Sequence, residues 1–253
     1  MTQRKRRSKK IIRMKRKNSK VATFSGFLLL VIVTLFILML TPFFNIKWID
    51  IKGAEKITSG QIKTAISYSQ GTNLFKINLK KSEENLEALP YVKDAEVKRK
   101  FPDGVRVYIT ERTPVAYIEF GGAFVLIDSE GRMLEQVSEK PHKIPAVLKA
   151  PVEGLKVGQY LKDKSEEASQ AFVVLYEKLN EYQLYERVSG INVGTADSIS
   201  FAFDGNKNVI IGDGYRLDYK LMMLQAAIDG LAPSESGTIT LTVEGKAIFT
   251  PKE

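Results

Sequence analysis

Residues 92–110 read Val92-Lys93-Asp94-Ala95-Glu96-Val97-Lys98-Arg99-Lys100-Phe101-Pro102-Asp103-Gly104-Val105-Arg106-Val107-Tyr108-Ile109-Thr110, and they decide the fold of the first domain. Val105, Val107 and Ile109 alternate with Arg106, Tyr108 and Thr110, the period of a strand with one buried face. Pro102-Asp103-Gly104 is turn chemistry. Residues 92–101, with Val97 and Phe101 as apolar marks, form the strand entering that turn. Upstream, Pro90 stops a helix over 79–89, with Leu79, Leu86 and Leu89 inward and Lys80, Lys81, Glu83 and Glu84 in water. Leu74, Phe75 and Ile77 make an apolar link after the breaker Gly71-Thr72-Asn73. Thr58 or Ser59 opens an earlier helix carrying Ile62, Ala65 and Ile66. Residues 44–53 read as a strand ended by Gly53. The order is βααββ over residues 46–113.

Thr113-Pro114 begins a second domain over 114–253. Residues 115–120, 123–128 and 132–134 predict a meander, with turns at Gly121-Gly122 and Asp128-Ser129-Glu130-Gly131. Residues 141–154 hold three prolines and read as irregular. A helix over 165–182 follows from Ala168, Phe172, Leu175, Leu179 and Tyr182, with Asp163 and Glu166 as a capping box. Short strands are expected at 191–193, 199–203 and 208–211. A helix over 215–231 places Leu217, Leu221, Leu224 and Ile228 on one face. Residues 237–250 close the chain as a strand or a hairpin through Glu244-Gly245-Lys246. The fold class is α+β, its second domain mixed α/β with a mainly antiparallel sheet.

Residues 21–46 carry no charged side chain, and the twenty residues before them hold eleven basic and no acidic ones. At about 1.5 Å per residue, a helix over 21–45 exceeds the roughly 30 Å of a bilayer core. The basic segment 1–20 holds the N-terminus in the cytoplasm and leaves the rest extracytoplasmic. A cleaved signal peptide fits less well. The apolar run exceeds the roughly 7–15 residues of such a leader, and its exit, Leu40-Thr41-Pro42-Phe43-Phe44, is no cleavage site. The net charge of +9 therefore divides: beyond position 46 stand 27 basic and 29 acidic residues. That split argues against nucleic-acid binding. The chain has no cysteine, which excludes disulfides, thiol catalysis and zinc–thiolate sites.

Catalytic patterns are scarce. The single histidine, His142, lies between Pro141 and Pro145 and reads as a solvated loop side chain. No nucleophile elbow, Ser-x-x-Lys, His-Glu-x-x-His or phosphate loop occurs. The pairs Glu83-Glu84, Glu166-Glu167 and Asp128/Glu130 read as solvated faces or turn chemistry, and Asp204-Gly205-Asn206 and Asp213-Gly214 as turns. No cofactor or metal is expected. The alternating Ile239, Leu241 and Val243 near the C-terminus form a strand added last, whose open edge offers a template for a partner strand.

The order of several short motifs is similar to one family. Ile49-Asp50-Ile51-Lys52-Gly53 is followed by Thr58-Ser59-Gly60-Gln61-Ile62 and Gly71-Thr72-Asn73-Leu74-Phe75. Leu89-Pro90-Tyr91-Val92-Lys93-Asp94-Ala95-Glu96-Val97, Arg99-Lys100-Phe101-Pro102 and Ile109-Thr110-Glu111-Arg112-Thr113-Pro114-Val115-Ala116 come next. This resembles the POTRA domain of the FtsQ/DivIB family of bacterial cell-division proteins, and Val125–Gly131 is similar to the family's next strand and turn. The resemblance implies a non-enzymatic, single-pass scaffold of the cell membrane at the division septum. Its implied partners are FtsL-like and FtsB/DivIC-like bitopic proteins and, through them, the septal peptidoglycan synthase complex. The family takes its FtsB/DivIC segment on the last strand, which maps to residues 240–249, with 215–224 on the preceding helix. The implied partner-binding residues are Val243, Gly245, Ala247, Ile248, Phe249, Tyr215 and Leu224. The alternative is a membrane-anchored extracytoplasmic hydrolase of the cell wall or of peptides.

Overall fold

The computed structural model describes residues 23–148, 156–161, 166–194, 198–242 and 244–252; the side chains of residues 148 and 166–169 stand outside that description. The expected basic tail 1–20, the start of the span at 21, the cap at Asp163 and the site residue Val243 all lie outside the described residues. The chain divides into two compact units. One holds Met1–Ala54, Thr58–Asn85 and Ala95–Ile109; the other holds Glu55–Ile57, Leu86–Asp94 and Thr110–Glu253.

The first unit opens with helix α1 (residues 23–39). Among the described residues no helix is long and apolar enough to cross a membrane. Helix α1 leads into the 3-10 turn Pro42–Phe44. Three strands form a sheet in the order β1 (Trp48–Lys52), β3 (Gly104–Glu111), β2 (Val92–Lys100). β1 lies parallel to β3, with Ile49 opposite Val105 and Ile51 opposite Val107. Helix α2 (Ser59–Ile66) starts where Thr58 and Gln61 cap each other: the Gln61 backbone N–H donates to the Thr58 hydroxyl, and Thr58 N–H to the Gln61 side chain. Its Ile62 and Ile66 are buried. Helix α3 (Leu79–Glu87) ends two residues short of the expected 89. Val97, Val105 and Val107 are buried as their alternation requires, but Phe101 is exposed. Its ring belongs to a surface aromatic group, so the reading of Phe101 as an apolar mark of the strand's buried face is corrected.

The second unit is built on a nine-stranded sheet. Its strands are β4 (Ala116–Phe120), β5 (Ala123–Ile127), β6 (Met133–Val137), β7 (Ala146–Leu148), β8 (Val188–Asn192), β9 (Ile199–Phe203), β10 (Lys207–Gly212), β11 (Gly237–Leu241) and β12 (Ala247–Pro251). They run β12-β11-β10-β9-β8-β7-β4-β5-β6. Helices α4 (Glu166–Glu181) and α5 (Leu217–Asp229) pack on the sheet. Phe172, Leu175 and Leu179 of α4 and Leu217, Leu221 and Leu224 of α5 share one core with Ile118, Val125, Ile191, Phe201, Phe203, Val209 and Ile239. Strand positions between these core residues face the other way, which is why β9 and β11 alternate buried and half-buried along their length.

Strand β7 corrects the reading of 141–154 as irregular. Three residues are too few to show alternation in sequence, and Pro145 precedes them. β7 forms because it is paired on both sides, parallel to β4 and to β8. Pairing with neighbours, not local propensity, makes it a strand.

Two charged clusters inside this unit were not foreseen. Arg112 is buried and donates from Nη1 to the Asp128 and Glu130 carboxylates, from Nε to the Val92 carbonyl (3.1 Å) and from Nη2 to Tyr160 Oη (3.2 Å). Burial works against its charge, but the bonds to Glu130 and Asp128 more than offset that, so its pKa is raised. The same bond from Arg112 holds the Glu130 carboxyl below its ordinary value. Asp128 also accepts from the Glu130 and Arg132 N–H groups, so the turn expected from sequence is closed by its own carboxylate. Arg132 Nη2 donates to the carbonyl of Glu87 (2.9 Å), beside those of Ala88 and Leu89 at 3.3 Å. The second cluster centres on Lys220, which is 1% exposed on α5. Its Nζ donates to the Ile211 carbonyl (3.0 Å), the Asp213 carbonyl (2.9 Å) and Asp213 Oδ1 (2.6 Å). The end of β10 is thereby tied to the first turns of α5.

Replacing Arg112 by Ala leaves Asp128 buried without its cation, and the expected loss is about 3–5 kcal/mol of unfolding free energy in a denaturant titration. Glu130 ionises more readily folded than unfolded, so its contribution is full above about pH 4.5, its ordinary value, and is lost as pH falls through the lowered folded value. Thermal melts from pH 7 to pH 3 are expected to fall less steeply for Glu130→Gln than for the parent chain. Lys220→Ala strands the buried Ile211 carbonyl and the half-buried Asp213 carbonyl and costs about 1–3 kcal/mol by the same titration.

A candidate partner-docking edge

The sheet of the second unit has two ends. At the β6 end, the Met133 N–H donates to the Gln159 carbonyl (2.8 Å) and Gly158 N–H returns to the Met133 carbonyl (2.8 Å). Arg132 also bridges to Tyr160, so the segment around Gly158–Leu161 covers the Arg132–Met133 end of this edge. At the other end β12 pairs antiparallel with β11 only, and among the described residues no strand lies beyond it.

The geometry of β12 follows from its register. Thr242 N–H donates to the Lys246 carbonyl, and Lys252 N–H to the Ser236 carbonyl. Hydrogen-bonded and non-bonded pairs alternate in an antiparallel ladder. With Thr240 opposite Ile248 and Ile239 opposite Phe249, Ile248 and Thr250 therefore bond inward to β11. Ala247 and Phe249 turn their N–H and C=O groups to the open edge. Pro251 has no N–H to offer. The side chains do the converse. Ala247 and Phe249 pack against the core beneath α5, while Ile248 is 50% exposed on the opposite sheet face. There it forms a row with Thr240 and Ile210, which is also exposed.

Helix α5 borders the same hairpin. Its start carries Tyr215, 64% exposed, with Tyr219 and Met222 exposed farther along. Arg216 precedes the helix in the left-handed region at φ 53°, and its guanidinium lies 4.5 Å from the Tyr219 ring centre. The turn between β11 and β12 approaches that ring closely. Gly245 has φ +90°, and a Cβ there would stand 2.6 Å from Tyr219 Oη. Only glycine meets both demands. On β11, a Cβ at Gly237 would stand 2.8 Å from the Phe249 ring, so this glycine makes the space in which Phe249 packs.

The expected site residues divide accordingly. Gly245, Ala247, Ile248 and Phe249 come together on the turn and the edge strand, and Tyr215 lies exposed at the start of the neighbouring helix. Leu224 is 0% exposed and belongs to the core. Val243 lies outside the described residues. Sequence reasoning passed over Tyr219, Met222 and Ile210. Tyr219 and Met222 fall two and five positions after Leu217, off the Leu217-Leu221-Leu224 stripe, so large apolar residues on the polar side of a helix were the available signal.

Nothing at this edge has the donor set of a reaction centre. Among the described residues no group of three or more His, Asp or Glu side chains is placed to hold a metal ion. His142 is exposed. A cavity of about 310 Å³ in the first unit is lined by Ile49, Lys63, Tyr68, Ser69 and Gln70. Its Ser69 hydroxyl donates weakly to the Gln70 carbonyl (3.4 Å), not to an activating base.

The family described as "POTRA domain, FtsQ-type" matches residues 44–112. The cell division protein DivIB of Clostridium tetani is 27% identical over 235 residues, covering 89% of this chain and 85% of that one. The cell division protein FtsQ of Koribacter versatilis is 36% identical over 87 residues, covering 34% of this chain and 25% of that one. A solved structure of the major extracytoplasmic domain of DivIB from Geobacillus stearothermophilus aligns at 19% identity with a TM-score of 0.28, over 41% of this chain and 80% of that one, a likeness too slight to carry weight. Residues 44–112 thus carry a POTRA domain of the FtsQ type, and the chain is similar along most of its length to a DivIB cell-division protein.

Proposed function

We propose that this chain is a non-enzymatic scaffold of the division machinery, anchored in the cell membrane by residues 21–45. Its folded units stand outside the membrane at the septum. It captures an FtsB/DivIC-like bitopic protein by strand addition, holds an FtsL-like protein with it, and through them helps control the septal peptidoglycan synthase complex. The division role itself is what the family carries; the partners, the anchor and the lack of catalysis are the finer reading.

The observation that carries the reading is the open edge of β12. A segment laid against it gains backbone bonds at Ala247 and Phe249. Ile248 on one sheet face, Tyr215 just before α5 and Tyr219 on it stand ready to take its alternate side chains. Charged Glu244 and Lys246 flank the turn, and Pro251 ends the useful edge, which limits nonspecific self-pairing. The anchor is supported by the uncharged run of 21–46 behind eleven basic residues, and by the outward apolar side chains of α1, among them Phe24, Leu30 and Phe36.

Ala247→Pro removes one outward N–H without touching a bond to β11, and Ile248→Lys puts a charge on the exposed face. Each is expected to weaken capture of the FtsB/DivIC-like partner by about tenfold or more in a titrated pull-down from detergent-solubilised membranes. The circular dichroism of each variant is expected to match the parent. Undiminished capture by both folded variants would defeat the strand-addition reading.

A further inference from the structure

We propose that the first unit lies directly on the membrane, with Phe43 and Phe101 seated in the headgroup layer and Lys76 and Lys100 set against lipid phosphates. The inference rests on the membrane-span reading above and goes beyond it, because it gives the folded unit a lipid-facing surface of its own.

Four rings of this unit form one continuous cluster. Phe43 meets Phe44 at 5.1 Å between ring centres, Phe44 meets Phe75 at 5.1 Å and Phe101 at 6.4 Å, and Phe75 meets Phe101 at 5.6 Å. The outer members face solvent, Phe43 at 60% and Phe101 at 62% exposed. A contiguous aromatic patch of this kind is costly in water and marks a surface that is covered in use.

Its position in the chain says by what. The cluster begins four residues after α1 ends, and the junction is not a free tether. Asn73 Nδ2 donates to the Met39 carbonyl (3.0 Å) and lies 3.4 Å from that of Thr41, closing the last turn of the apolar helix from the body of the unit. Ile46 N–H donates to the Thr72 carbonyl, Gly71 N–H to the Ile46 carbonyl, and Leu74 N–H to the Phe44 carbonyl. The rings are therefore held at the level where the helix leaves the hydrocarbon, and aromatic side chains are favoured at that depth.

The charge around the rings agrees. Lys76 follows Phe75 and Lys100 precedes Phe101, and among the described residues neither has an ion-pair partner. The nearby carboxylate of Asp103 is already taken by Lys47 at 2.8 Å. Two uncompensated lysines beside exposed rings suit an anionic lipid surface.

The chain has no cysteine, so single Phe101→Cys, Phe43→Cys and Leu30→Cys variants each carry one environment-sensitive dye. The full chain is reconstituted in phosphatidylglycerol–phosphatidylethanolamine vesicles with nitroxides either at the headgroup or deep in the acyl chain. The dyes at 101 and 43 are expected to dim at least about twofold with the headgroup nitroxide and less with the deep one, as for groups held in the interfacial layer. The dye at 30 is expected to show the reverse order. Adding Lys76→Glu and Lys100→Glu is expected to reduce the quenching at 101. An unquenched dye at 101 beside a deeply quenched dye at 30 overturns this proposal and leaves the span standing. An unquenched dye at 30 overturns the span, and position 101 alone then decides whether the unit rests on lipid.

Discussion

One-sided burial governs the second unit. Its sheet gives one face to α4 and α5, and a single core running from Ile118 to Ile239 removes that face from water. At about 25 cal/mol per Å² of apolar surface, this shared burial is the largest favourable contribution in the unit, and it fixes the register of every strand, since a slip by one residue would turn the core set outward. Among the described residues, no strand pairs with the outer edge of β12, and Ile248 and Ile210 stand exposed on the opposite face beside it. Ile248, Ile210 and the outward backbone of Ala247 are thus available because Phe249 and Ile239 are not.

The buried cations refine this arrangement. Lys220 sits among apolar neighbours on α5 because the carbonyls at the end of β10 and the Asp213 carboxylate replace its water. Without such partners, burying an ammonium costs several kcal/mol. The result is that α5 enters at a fixed place beside the hairpin, with Tyr219 over Gly245. Arg112 plays a corresponding part near the first strands of the unit, where its fork gathers the carboxylates of the Asp128–Gly131 turn. In both cases the ion pair chooses one arrangement among several that the apolar core alone would tolerate.

Much of this was legible in the chain. Alternation at Val105, Val107 and Ile109 located β3, the spacing of Phe172, Leu175 and Leu179 located α4, and Glu244-Gly245-Lys246 located the last hairpin. Those segments are specified locally. β7 was not, because its existence depends on β4 and β8, distant in sequence. The inward turn of Lys220 and Arg112 was invisible for a related reason: a charged residue reads as solvated unless its partners are known, and here they are mostly backbone carbonyls, which every residue has. Phe101 reads as the last residue of its strand, but the strand stops at Lys100 and the ring stands exposed at the turn. For the docking edge, strand and turn were readable, but not the assignment of Leu224 to the core, since an apolar stripe gives the face and not what covers it.

The shortness of β12 sets the strength of what it can hold. Ala247 and Phe249 together present four backbone groups to an incoming chain, worth roughly 0.5–1.5 kcal/mol each once water is displaced. Their sum does not reliably exceed the ~4–15 kcal/mol lost when two bodies become one. Backbone complementarity here aligns a visitor and leaves most of the affinity to the side chains it brings. An edge this short selects by the side chains a visitor brings more than by the backbone bonds it offers.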